Sequence, residues 1–266
     1  MADSVYISEH LTKPQLEFLK LLDDYEIQIF KFTEIEQLLG QKFDNLSEIL
    51  ENLVDKELLA RIEKGKFCRQ NFRDEYVIGT FVAENSAVAY WSALNLHGLT
   101  EQFSNTVFIQ TTHKKLDKSI LGTSYKFVRI ASYKKAGITY NGYGSLKYAI
   151  TDVEKTIVDC FDLPQYSGGY AELIRAVGQA KMQGSKLIRY CELVNNIAVT
   201  KRLGYLIELL RIEGLETFID YAKSQVNNKY NLFDPQGLEE GEFVAEWRLR
   251  LNISREELLD ISNKQY

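Results

Sequence analysis

The chain has 266 residues and a formal net charge of −5, enough length for about two domains of roughly 100–200 residues each. Its 45% apolar and 26% charged residues exclude a collagen-like, disordered or disulfide-scaffold protein, and no apolar run nears the ~20 residues of a membrane span. The charge balance is not that of a strongly basic nucleic-acid binder, and Met1 to Pro14 lack the basic-then-apolar pattern of a secretory leader, so a cytoplasmic protein is expected.

The first seventy residues carry three helical patterns in succession. Pro14 follows Thr12 as a first-turn proline follows an N-cap, opening a helix to about Asp24 with Leu16, Leu19 and Leu22, and Phe18 beside them, facing inward. Thr33 is read as the cap of a short helix, Glu34 to Leu39, with Ile35, Leu38 and Leu39 inward and Gly40 as its stop. Leu46, Ile49, Leu50, Leu53 and Val54 then recur at i, i+3, i+4, i+7, i+8, predicting a third helix from about Asn45 to Glu57. Leu58–Ile62 and Lys66–Arg69 read as strands joined by the tight turn Glu63-Lys64-Gly65. Three helices and a basic-tipped hairpin outline a winged helix-turn-helix, in which the third helix enters the major groove and the hairpin touches phosphates. The candidate DNA contacts are Lys42, Asn45, Ser47, Asn52, Arg61, Lys64, Lys66 and Arg69. Against them, the third helix also offers Glu48, Glu51 and Asp55, which repel phosphate, so a protein-contact module stands as the alternative.

Beyond Phe72 the pattern changes. A helix is predicted over Glu84 to Gly98, strands over Thr106–Thr111 and Tyr125–Ile130, and short strands near Ile138–Tyr140 and Leu146–Ile150. Thr151 and Glu154 have capping-box spacing ahead of a helix that must end before Pro164. Gly168-Gly169 turns into a helix over Tyr170 to Lys181; the chain is then mostly helical from Ser185 to Tyr221, and Ser254 and Glu257 repeat the capping-box spacing before a last helix. The expected fold class is α+β: a winged helix-turn-helix over 1–72, then a mixed α/β domain over 73–266 that is mostly helical past about 180.

Several segments in order carry a family resemblance. Tyr90-Trp91-Ser92-Ala93-Leu94-Asn95-Leu96-His97-Gly98-Leu99 with Thr100-Glu101-Gln102, the strand Val107–Thr112, Thr151–Asp159, Pro164–Gly169, Leu232–Pro235 and Trp247–Asn252 together resemble AbiEi-family antitoxins over nearly the whole chain. The resemblance implies the antitoxin of a type IV toxin–antitoxin, or abortive-infection, pair. Its N-terminal winged helix would bind operator DNA and repress its own operon, and its C-terminal domain would counteract a nucleotidyltransferase-like toxin encoded nearby. The third helix departs from that pattern, since the family's is typically rich in arginine. A stand-alone winged-helix repressor, or an adaptor that never meets DNA, are the other readings.

No catalytic constellation accompanies these motifs. Cys68, Cys160 and Cys191 form no C-x-x-C pair, and His10, His97 and His113 have no ligand spacing, so neither a metal nor another cofactor is expected and no enzymatic role is assigned. Cys160 and His97 could be imagined as nucleophile and base, but Cys160 lies on an apolar helix face and His97 precedes the stop Gly98. Asp152, Glu154 and Lys155 could suggest a nuclease cluster, yet acids belong in a first helical turn anyway. The stronger feature is the run His113–Lys135, which carries +6: Lys114, Lys115, Lys118, Lys126, Arg129, Lys134 and Lys135 against Asp117 alone. With Tyr125, Tyr133, Tyr140 and Tyr143 nearby, it is the candidate recognition surface of the C-terminal domain.

Overall fold

The structure, a computed structural model, describes residues 11–263; His10 and the leader reading of the first residues lie outside them. It is a mixed α+β fold with three sheets and, among the described residues, eleven α-helices. The chain forms two compact units. The first comprises Met1–Val82, Ile120–Gly122 and Gly142–Tyr148, and the second comprises Ala83–Ser119, Thr123–Asn141 and Ala149–Tyr266.

The first unit runs α1 (Lys13–Asp24), β1 (Ile29–Lys31), α2 (Ile35–Leu39), α3 (Leu46–Asp55), β2 (Leu59–Glu63), β3 (Lys66–Arg69) and α4 (Glu75–Val82). β3 lies between β1 and β2 and is antiparallel to both, with Phe30 opposite Phe67 and Ala60 opposite Cys68. Three residues, Ile29–Lys31, were too few to show a period in the sequence. Phe18, Leu22, Ile35, Leu50, Leu53 and Leu59 close a core around the stacked Phe30–Phe67 pair, whose centroids lie 5.8 Å apart. Burying each such side chain contributes about 1.5–3 kcal/mol.

Several local expectations need correcting. Leu16 and Leu38 are exposed rather than inward. In α1 the buried positions are Gln15, Phe18 and Leu22, and the polar Gln15 is tolerated because its Oε1 accepts from Thr12 N (3.2 Å) and Lys56 Nζ (2.8 Å). α2 begins at Ile35 with Glu34 as its N-cap, not Thr33, and the Glu34 carboxylate pairs with Lys31 at 2.8 Å. The helix Glu84–Gly98 is in fact strand β4 (Ser86–Val88) followed by the shorter helix α5 (Tyr90–Leu96). The apolar trio at Ala87–Ala89 serves a sheet interior as well as a helix face, and sheet pairing wins. Tyr90 sits at φ 54°, a left-handed value that a helix continuing from Glu84 would not contain.

The second unit is built on a six-stranded sheet of order β6-β7-β5-β4-β9-β8. Its strands are β4, β5 (Thr106–Thr111), β6 (Lys118–Ile120), β7 (Thr123–Arg129), β8 (Ile138–Asn141) and β9 (Tyr148–Thr151). β5 and β7 run parallel over six residue pairs from Thr106–Ser124 to Thr111–Arg129, while β4 is antiparallel to β5 and parallel to β9. Then come α6 (Val153–Asp162), α7 (Tyr170–Gln179), α8 (Gly184–Val194), α9 (Ile197–Leu209) and α10 (Glu216–Ser224). A small sheet, β10 (Asn231–Leu232) with β12 (Leu249–Leu251) and β11 (Glu242–Val244), and α11 (Arg255–Asn263) complete the unit. Its core joins Tyr90, Ile157, Phe161, Leu173, Leu203 and Trp247. Among the described residues no helix is long and apolar enough to cross a membrane.

Candidate functional site

In the first unit the structure places the expected DNA contacts on α3, on the segment just before it and on the β2–β3 hairpin. Lys42, Asn45 and Ser47 are exposed and Asn52 is half-buried, but Glu48, Glu51 and Asp55 are exposed beside them. A cleft of about 460 Å³ along this face includes Glu17, Asp44 and Glu48 together with Lys42, Asn45 and Asn52. On the hairpin the four cations have separate fates. Lys66 pairs with Glu63 and donates to Val82 O, both at 2.8 Å, and Arg69 pairs with Asp23. Arg61 is exposed, 3.7 Å from Glu51, with its guanidinium over the Phe67 ring. Lys64, exposed at the turn, makes no ion pair among the described residues. The carboxylates therefore neutralise much of the charge that composition alone places on the hairpin.

In the second unit the basic run is divided in the same way. Asp117 accepts from Lys126 Nζ at 2.7 Å and from Phe127 N at 2.9 Å. Burial pushes the Asp117 carboxyl up, but those two donors outweigh it and hold the group below its usual range. Lys134 pairs with Asp162 at 2.8 Å, and Lys115 lies over the Phe127 ring. Lys118 is half-buried on β6, while Lys114, Arg129 and Lys135 are exposed, the last reaching Asn85 Oδ1 at 3.4 Å. Tyr125 is buried, whereas Tyr133 and Tyr140 are among the most exposed aromatic residues, as is Tyr143, which belongs to the first unit.

The densest polar cluster gathers where β9 runs into α6. Asp152, rather than Thr151, is the N-cap: its Oδ1 accepts from Lys155 N at 2.9 Å, while Thr151 ends the strand. Asp is the stronger capping residue at the junction. The Asp152 Oδ2 accepts from Tyr190 OH (2.8 Å) and Lys186 Nζ (3.1 Å), both from α8. Glu154, instead of closing a capping box, accepts from Gln183 N at 2.8 Å and from Lys186 at 3.3 Å. One helical turn further in, Lys155 and Asp159 form an ion pair at 0% and 5% side-chain exposure. The close approach of this turn needs Gly137, at φ 63°: a Cβ there would come within 2.7 Å of Lys155 Cβ and 2.8 Å of Tyr190 OH. Lys186 and Tyr190 gave no signal in the sequence, because their partners lie more than thirty residues away.

Chemically, the arrangement holds charge still rather than exposing it. Cys160 is fully buried, and burial raises its thiol well above the ordinary range, so little nucleophilic thiolate is present. His97 Nε2 lies 2.7 Å from Thr151 O, a contact that fixes this nitrogen as the donor. No group of three His, Cys, Asp or Glu side chains is placed to hold a metal ion among the described residues. A second buried cluster joins Thr100 Oγ1 to Glu172 at 2.6 Å, Gln102 to Glu172 at 3.0 Å and Arg175 to the same carboxylate. It ties the Thr100–Gln102 segment to α7.

Comparison with family models gives no match, and no curated protein matches. Among solved structures, the chain is similar to the RV2827C protein from Mycobacterium tuberculosis, with a TM-score of 0.64 at 14% sequence identity over 96% of each chain. That similarity covers both units and establishes a shared fold.

Proposed function

We propose that this chain is a DNA-binding antitoxin of the AbiEi kind, acting in the cytoplasm without catalysis. In this reading the first unit is a winged helix that takes operator DNA, and the second unit counteracts a nucleotidyltransferase-like toxin. The observation that carries the DNA-binding half is topological. The order α1-β1-α2-α3-β2-β3, with β1 pairing to β3, presents α3 beside a hairpin, as a winged helix presents its recognition helix and wing. Lys64 and the exposed Arg61, whose contact with Glu51 is a long 3.7 Å, are the hairpin cations open to phosphate, whereas Lys66 and Arg69 are held more closely by carboxylates. The antitoxin half rests on the ordered motifs of the sequence and on the open cations Lys114, Arg129 and Lys135.

Fluorescence anisotropy on the promoter duplex, between 50 and 200 mM salt, tests the first half. Binding should weaken steeply with salt, and replacing Arg61 and Lys64 with Ala should flatten the log–log slope by about 2, about one unit per phosphate contact. Binding indifferent to both changes would remove the hairpin from the account. Co-expression with the neighbouring toxin tests the second half: Lys114→Ser, Arg129→Ser and Lys135→Ser combined should abolish rescue while leaving unfolding unchanged. The acidic α3 face and its Glu17–Asp44–Glu48 cleft favour one second reading, a basic protein partner. Absence of promoter binding at low salt would select it.

A further inference from the structure

A cleft of about 350 Å³ lies between α9 and the small β10–β12 sheet, lined by Arg202, Tyr230, Leu232, Phe243 and Arg250, with Glu239 also on its wall. Arg202 is 7% exposed, yet it forms no ion pair among the described residues; its Nε donates to Leu232 O at 2.8 Å. A buried cation is ordinarily matched by a carboxylate, because leaving it unmatched is costly. Its neighbour Lys201 repeats the pattern. It is fully buried, and its Nζ is held by Lys229 O (2.7 Å), Arg248 O (3.3 Å) and Asn227 Oδ1 (3.4 Å), none of them charged. Burial, together with the cations Arg202, Lys229 and Arg248, pulls the Lys201 ammonium down to about 8.

Arg250 adds a second guanidinium, whose buried Nε has no hydrogen-bond partner among the described residues. It lies over the Phe243 ring at 5.2 Å, and Arg248 lies over Tyr230 at 5.3 Å. The two rings stand perpendicular with centroids 5.0 Å apart, and Phe243 is 57% exposed. Asp234 favours the charged form of Arg202 through space against the pull of burial, but neither it nor Glu239 on the cleft wall forms an ion pair with these cations among the described residues. The cleft thus combines two guanidinium groups, set against the one lining carboxylate of Glu239, with an accessible aromatic face.

We propose that this cleft binds a nucleoside phosphate, its phosphate group against Arg202 and Arg250 and its base against Phe243. Guanidinium forks match phosphate oxygens in pairs, an aromatic ring accepts any flat base, and the volume is at the small end of ligand pockets, where one nucleotide fits and a strand does not. The site is independent of whether the first unit takes DNA.

Isothermal titration of the full chain at fixed ionic strength tests this, with ADP, adenosine, inorganic phosphate and an oligothymidylate as probes. ADP should bind saturably and more tightly than phosphate or adenosine. Arg250→Gln should weaken it by about tenfold or more, and Phe243→Ala by about fivefold or more. Arg202→Met should also lose binding; if that variant fails to fold, the two partly exposed positions decide. The proposal is overturned if ADP does not bind at millimolar concentration, if Arg250→Gln leaves its affinity unchanged, if phosphate binds as well as ADP, or if the oligonucleotide alone shows the dependence on these residues.

Discussion

The Lys155–Asp159 pair in α6 should be costly to break and cheap to remove. Lys155 is fully buried and its ammonium meets one oxygen of Asp159, whose other oxygen, Oδ2, has no hydrogen-bond partner. A buried ion pair offsets its desolvation only when the remaining donors and acceptors are also satisfied, and here they are not. Lys155→Met should therefore destabilise the second unit by about 3–5 kcal/mol by leaving an unpaired carboxylate. Lys155→Met with Asp159→Leu should be neutral, or stabilising by about 1–4 kcal/mol. The single variant should also carry a pH signature. Burial already pushes the Asp159 carboxyl up, with Asp162 adding to it, against the opposing pull of Lys155 and Lys134. Without Lys155 the folded value lies further above the unfolded value of about 3.9. The folded state then binds the proton more tightly, so the variant loses stability as pH rises from about 4 toward neutrality. Both tryptophans, Trp91 and Trp247, lie in the second unit, so urea unfolding followed by their emission reads that unit alone. A double variant as unstable as Lys155→Met, or a single-variant deficit that does not change with pH, would refute the reasoning.

Gly204→Ala should lower the unfolding temperature and shift tryptophan emission. The added Cβ would meet the Trp247 ring at 2.6 Å and Ala222 Cβ at 2.7 Å, an overpacking that costs about 1–3 kcal/mol; unchanged emission and melting would show that the ring has room to move. Lys201 should make the chain more stable in mild alkali. Its folded value of about 8 lies below the unfolded value of about 10.4, so the unfolded state binds more protons between them and stability rises with pH across that window. Subtracting the Lys201→Met profile from that of the parent chain should isolate this rise. A flat difference would mean that the ammonium is not desolvated.

Legibility followed the range of the interactions. The i, i+3, i+4 spacing of α3 and the Glu63-Lys64-Gly65 turn were readable because both depend on neighbours within a few residues, and β3 from Lys66 to Arg69 is the return strand that this turn implies. Ser254 and Glu257 cap α11 reciprocally, at 2.9 and 3.2 Å, as their spacing implies. Reading failed where a distant partner decides. Ser86–Val88 is a strand because Thr111, Gln110 and Ile109 lie beside it, and a helix pattern cannot register that. The same holds for charge: seven cations in one run look like a surface until Asp162 is seen to take Lys134. Arg202 gave no signal, and Arg250 stood out only as part of the segment Trp247–Asn252, since an arginine in a helix or strand looks solvated unless its burial is known.

The first unit includes Ile120–Gly122 and Gly142–Tyr148 in addition to everything before Ala83. During synthesis, its helices and the β1-β3-β2 sheet emerge long before those two returns. At about 5–20 residues per second, several seconds separate Val82 from Tyr148, and the first unit spends them without its last pieces. A ribosome paused in that interval would display a nascent chain able to form the α1–α3 core but not the finished unit. Codon choice between Ala83 and Tyr148 would then tune how long the incomplete form is open to chaperones and proteases.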